Sequence, residues 1–176
     1  RSASMLETAR RAALVTFPLL TISVITLLYL LVSGHFEYAY VYQTTDMAMP
    51  LYLKLAALWG GQEGSLLFWC WLLSGVTFLV LVQKWKTERY LLPWVITVTS
   101  FTLLFFLALV LFFENPFLRY FITMGGDVVR SLFPPAMSIL ATPTDGSGLN
   151  PLLRHAGMVI HPPTIYLGFP GFVIPF

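Results

Sequence analysis

Three stretches of the chain carry no charge over lengths that match a bilayer: Ala12 to Val32 (21 residues), Leu66 to Val82 (17) and Leu91 to Phe113 (23). About 20 helical residues at roughly 1.5 Å each cover the hydrocarbon core, so each stretch predicts a membrane-spanning helix. Pro18 lies in the first half of the first stretch, where it predicts a kink without an end. Pro93 lies in the first turn of the third, where a missing N–H costs little. The second stretch follows the apolar Leu55 to Trp59 and a glycine-rich break, with Ser65 placed to cap the helix. From Met158 the chain turns apolar again and stays uncharged to Phe176, interrupted by Pro162, Pro163, Pro170 and Pro175. The pattern predicts one membrane domain over residues 1–176, an all-α polytopic helix bundle with three complete spans and the start of a fourth.

Between the spans, segments 33–64 and 114–157 are longer and more polar. Pro116, Gly125, Gly126, Pro134, Pro135, Pro143, Gly146, Gly148, Pro151 and Gly157 break up the second, leaving room only for short helices. Within it Asp127 to Leu140, with Val128, Val129, Leu132, Phe133, Met137, Ile139 and Leu140 apolar, is expected to lie flat in the membrane interface as a helix.

Composition agrees: 57% hydrophobic, 16% aromatic and 10% charged residues, with mean hydropathy +0.79, exclude a soluble domain. Charge then orients it. Arg1, Arg10, Arg11, Lys84, Lys86 and Arg89 share one side with Glu7 and Glu88. Lys54, Arg119, Arg130 and Arg154 share the other with six carboxylates, from Glu37 to Asp145. The basic side is cytoplasmic by the positive-inside rule, which puts segments 33–64 and 114–157 outside. A net charge of +2, scattered among spans, excludes nucleic acid as a partner. The single cysteine, Cys70, excludes an internal disulfide or a multi-cysteine metal site and reads as packing. A chain that begins Arg1-Ser2 is expected to be a processed product or part of a longer polypeptide.

His161 stands in Val-Ile-His-Pro-Pro-Thr-Ile-Tyr at the outer mouth of the fourth span. A residue before proline avoids helical dihedrals and proline suits a first turn, so His161 is expected at a helix start. The helix dipole there disfavours imidazolium and leaves a neutral ring able to bind a metal or haem iron; a histidine bonded to backbone is the alternative. His35 and His155 also fall outside, with nothing local to aim them. Trp59-Gly60-Gly61-Gln62-Glu63-Gly64-Ser65 enters the second span, with Gly60 and Gly64 at a spacing that lets membrane helices pack closely. Glu63 is either a complement to the helix N-terminus or a polar contact inside a site. Trp59, Phe68, Trp69 and Trp71 form either an apolar wall for a flat ligand or an aromatic belt. No pair of carboxylates, Ser-His-Asp set or Cys-His set is spaced for catalysis.

Residues Ala57 to Trp69 resemble the WGGxEGSLLxW signature of the cytochrome c-type biogenesis protein CcmF family. Glu114-Asn115-Pro116-Phe117, Asp145 to Leu153 (DGSGLNPLL) and Gly157 to Gly168 (GMVIHPPTIYLG) resemble three further motifs of that family, in order and spacing. The resemblance implies a haem lyase that helps attach haem to the CxxCH cysteines of apocytochrome c on the outer face of the bacterial inner membrane. It implies haem b as cofactor, with His161 as axial ligand to the iron and Pro162 and Pro163 fixing the angle of its ring. Trp59 and Glu63 would line that site. Arg154, the nearest basic residue outside, would pair with the propionates. Implied partners are a haem chaperone, apocytochrome c with its thiol-handling chaperones, the other half of the lyase and membrane lipid. The family's tryptophan-rich segment, second external histidine and intramembrane histidines have no counterpart in residues 1–176, so the chain is expected to be an N-terminal portion or split subunit. The alternative is a non-catalytic scaffold docking haem-delivery and apocytochrome partners through Gly60 and Gly64. A small-solute transporter has little support, since no charge or broken helix sits at mid-bilayer.

Overall fold

The computed structural model describes residues 2–85, 87 and 90–173. Arg1, Lys86, Glu88 and Arg89, which entered the charge count, and residues 174–176, including Pro175 of the fourth span, lie outside the described residues.

Three long helices form the bundle: α1 (Ser2–Ser33), α4 (Gln62–Gln83) and α5 (Leu92–Phe112). All three are long and apolar enough to cross a membrane, as the uncharged stretches predict. Helix α1 runs on through Pro18 and extends well beyond Ala12 toward the N-terminus. Its inner stripe, Leu20, Val24, Leu27 and Leu31, repeats every three or four residues and packs in one core with Leu67, Cys70 and Leu73 of α4. Its opposite stripe, Leu19, Ile22, Ile25 and Tyr29, is exposed, as a lipid-facing surface must be. The buried Cys70 is packing. One polar link ties α4 to α1: the Trp71 indole donates to Thr21 Oγ1 (2.9 Å), which donates to Phe17 O (2.8 Å).

Short elements gather at one end of the bundle. Helices α2 (Ala39–Thr44) and α3 (Leu51–Ala56) lie between α1 and α4, followed by a 3-10 turn at Ala57–Trp59. Tyr40 of α2 anchors them. Its ring is buried, and its hydroxyl donates to Ala57 O (2.7 Å), lies 3.3 Å from Leu58 O and accepts from the Gly61 N–H (3.2 Å). Desolvation pushes its phenol far above the usual tyrosine range, with the nearby Glu63 carboxylate acting in the same direction, so the hydroxyl stays a donor.

The segment after α5 corrects one expectation. Residues 127–140 do not form a flat interfacial helix but belong to a three-stranded antiparallel sheet, β1 (Arg119–Thr123), β2 (Val128–Ser131) and β3 (Ser138–Leu140), in the order β2-β1-β3. Tyr120, Phe121, Ile122, Thr123, Val128 and Val129 favour a pleated surface, and Pro134-Pro135 denies a helix its N–H groups. Gly126 takes φ +85° in the β1–β2 turn, a conformation that suits glycine. The sheet joins the cap through Ala39 N–H to Leu118 O (2.8 Å) and Tyr120 N–H to Glu37 O (2.9 Å).

Replacing Tyr40 by Phe leaves buried carbonyls without their donor. The expected cost is about 1–3 kcal/mol, read as a lower thermal unfolding midpoint in detergent with helical content unchanged at low temperature.

Candidate functional site

Gly61 has extended backbone (φ −138°, ψ 171°) and caps α4, so this helix starts at Gln62, four residues before Leu66. Ser65 therefore is not the cap: its hydroxyl donates back to Trp59 O (3.0 Å) and ties the 3-10 turn to the helix. Glu63, partly buried in the first turn, sits where a helix N-terminus favours a carboxylate. The two glycines of the spacing motif are filled from within the chain. A Cβ at Gly60 would meet Leu149, and one at Gly64 would collide with Leu58 O and the Tyr40 ring.

Leu149 arrives on a strap, residues 145–154, laid across the C-terminal end of α2. The strap is clipped by the Ser147 N–H to Tyr42 O (2.7 Å), the Gly148 N–H to Thr45 O (3.2 Å) and the Met47 N–H to Asp145 Oδ1 (2.8 Å). A Cβ at Gly146 would strike Thr45 O, which explains the small residue there. Asn150 Oδ1 accepts from the Leu152 N–H (3.0 Å) and opens a 3-10 turn over Pro151–Arg154. Arg154 ends it, donating through Nε to Leu149 O (3.1 Å) and through Nη2 to Asp46 Oδ2 (3.2 Å). Its side chain remains 43% exposed.

The fourth apolar stretch is helix α6 (Ala156–Val173). His161 is its sixth residue, about a turn and a half past the start, and Pro162 and Pro163 lie inside the helix instead of opening it. The start belongs to His155, whose backbone is extended and whose Nδ1 accepts the Gly157 N–H (3.2 Å). The dipole argument for a neutral His161 weakens accordingly, since that field fades within the first turn. Proline lacks the N–H that would bond four residues back, so Pro163 leaves Val159 O without its helical partner. The Trp59 indole N–H supplies one at 3.1 Å. The His161 side chain is exposed, and among the described residues its imidazole makes no hydrogen bond.

The aromatic residues form a wall inside the bundle. Trp59 and Phe68 lie 5.4 Å apart between centroids, Phe68 and Trp71 5.7 Å, and Tyr166 of α6 meets Phe68 edge-on at 6.2 Å. Trp69 turns to the other side of α4 and packs on Phe106 at 4.3 Å. There Trp69, Phe106, Tyr166, Phe169 and Phe172 line an open apolar groove of about 610 Å³, which His161 does not line. Trp59, Glu63, Gly60, Gly61 and Gly64 thus gather at the α4 N-terminus, with Arg154 on the strap and His161, Pro162 and Pro163 on α6. His35 stands apart, its Nδ1 3.0 Å from Glu37 Oε1.

Sequence reasoning overlooked Tyr40, Asp46, the His155 cap and the Val159 carbonyl. Only the last leaves a signal, a proline four residues later. Because Gly64 abuts backbone and a buried ring, Gly64→Ala is expected to cost at least about 1–3 kcal/mol. That cost would appear as reduced accumulation in membranes and a lower unfolding midpoint.

A family model for "Cytochrome C assembly protein" matches residues 59–176. The chain is 31% identical over 99% of its length to cytochrome c-type biogenesis protein CcmF of Haemophilus influenzae and 34% over 96% to CcmF of Pseudomonas aeruginosa. It is 35% identical over 92% to the probable cytochrome c-type biogenesis protein NrfE of Escherichia coli. It spans about a quarter of the length of these relatives, 24%, 23% and 26% respectively. No solved structure matches it significantly. The matched residues take in Trp59, the strap and α6, and the chain belongs to the cytochrome c assembly proteins of the CcmF type, to their N-terminal part.

Proposed function

We propose that this chain is part of a haem lyase for cytochrome c maturation, presenting haem at the outer face of the inner membrane while it is joined to the CxxCH cysteines of apocytochrome c. The observation that carries the proposal is His161: an exposed imidazole with no hydrogen bond among the described residues, on a helix whose position is fixed by Trp59 and by the strap. A ring nitrogen with a free lone pair is what an axial ligand needs.

The other residues fit haem b. Arg154 commits two of its five N–H donors, to Leu149 O and Asp46, and keeps three for a propionate. Trp59, half-buried and backed by Phe68, adds flat apolar surface at the α4 N-terminus. Bound here, haem would supply an iron for the His161 imidazole to hold and vinyl groups for addition of the cysteine thiols. This chain's own residues hold and orient; the second axial ligand, the haem chaperone and the thiol-handling chaperones belong to the rest of the assembly. The positive-inside rule applied to the basic flank of Arg10, Arg11 and Lys84 supports a cytoplasmic side there and an outer position for the motif-bearing end. Gly60 and Gly64 face Leu149 and Tyr40 of the same chain, which favours haem binding over a scaffold that docks partners through those glycines.

The test is the absorption spectrum of the detergent-solubilised membrane complex that contains this chain, as wild type and as His161→Gly. Loss of the haem bands in the variant and their return with added imidazole is the expected result. An unchanged spectrum would remove His161 from the haem site.

A further inference from the structure

Helix α6 carries prolines at two adjacent interior positions, 162 and 163, directly after His161. Such a pair removes two N–H donors from the second turn and forces the helix to bend or to find outside partners. In an apolar bundle a carbonyl left without a donor is costly. Val159 O, four residues before Pro163, finds a donor in the Trp59 indole N–H at 3.1 Å.

The donor comes from a rigid place. Trp59 ends the 3-10 turn whose carbonyls are held by the Tyr40 hydroxyl. Its own carbonyl accepts from Ser65 Oγ, and its ring lies against Phe68. The bond therefore joins a fixed point in the 3-10 turn before α4 to the residue two before His161, across 100 positions of sequence. It is directional, as aromatic packing is not, and it falls on the carbonyl that Pro163 deprives of its helical donor.

We propose that Trp59 is a positioning residue for His161: its indole N–H occupies the carbonyl freed by Pro163 and so sets the rotation and height of α6 at the histidine. This assigns the Trp59 indole N–H a hydrogen-bonding role beside the haem-lining role expected from its ring. It rests on the reading of His161 as a haem ligand, but the bond itself does not depend on haem.

The experiment is a double-mutant cycle on the membrane complex containing this chain, with wild type, Trp59→Phe, Pro163→Ala and the double variant. Phenylalanine keeps an aromatic ring beside Phe68 and loses the N–H. Alanine at 163 returns the backbone N–H to Val159 O. Thermal unfolding reads the bond without haem, and the haem absorption bands read the histidine. Trp59→Phe is expected to lower the unfolding midpoint by a few degrees and haem content about fivefold in the native background, with much smaller effects beside Pro163→Ala. Equal effects of Trp59→Phe in both backgrounds, or none in either, would overturn the proposal. If the thermal cycle shows the coupling while haem content does not change in any variant or in His161→Gly, Trp59 is not a positioning residue for a haem ligand. The haem reading then fails and only the structural bond survives. If His161→Gly loses haem but the cycle is additive, the haem reading stands and this inference fails alone.

Discussion

Backbone carbonyls that lose their helical partners inside an apolar bundle must find another donor, since water is not at hand to satisfy them. One end of this bundle is organised around that requirement. The 3-10 turn at Ala57–Trp59 breaks the run between α3 and α4, and its carbonyls are taken by the Tyr40 and Ser65 hydroxyls. The interior prolines of α6 remove donors from a second helix without ending it, and the Trp59 indole takes the carbonyl of Val159. A chain that interrupts its helices so near the membrane needs side-chain donors at fixed places. The aromatic and hydroxyl residues of the cap are those donors.

Close packing follows from the same arrangement. For the Tyr40 hydroxyl to reach Ala57 O, its ring must pass where a side chain at position 64 would stand. For the strap to bond Thr45 O, position 146 must be empty beyond Cα. Gly61, Gly64 and Gly146 are thus explained by backbone and ring approach within one chain, and Gly148 by its φ of +79°. The remaining polar residues divide between structure and chemistry. Asp46 and Arg154 pair across the strap at partial exposure, where an ion pair adds about 1 kcal/mol or less. His161 stands free of partners among the described residues.

Much of the architecture was legible in the residues. The three spans are plain in the uncharged stretches because the bilayer demands about 20 apolar residues in a row, and no local preference competes with that demand. Helix ends were less legible. The start of α4 slipped from Leu66 to Gln62 because Gly61 caps by backbone alone, and the start of α6 moved from His161 to Ala156 because His155 supplies the cap. The expected interfacial helix over 127–140 gives way to strands because Val128, Val129 and Ile139 are β-branched and Pro134-Pro135 interrupts a helix. Of the candidate site, the residue types were visible but their pairing was not. Nothing in local sequence says that Trp59 meets Val159 or that Asp46 meets Arg154, separations of 100 and 108 residues.

The measurement that reaches the central claim most directly is the nitrogen–proton spectrum of the tryptophan indoles in the solubilised complex, with this chain alone isotope-labelled. It has five tryptophans, and the Trp59 signal is assigned by its absence in Trp59→Phe. Trp94, 63% exposed and with no indole hydrogen bond among the described residues, serves as the reference. The account predicts a Trp59 indole proton shifted downfield of Trp94, slow to exchange with solvent, and moved upfield when Pro163→Ala returns the backbone donor to Val159 O. A Trp59 signal that matches Trp94 in position and exchange, and ignores Pro163→Ala, would contradict it.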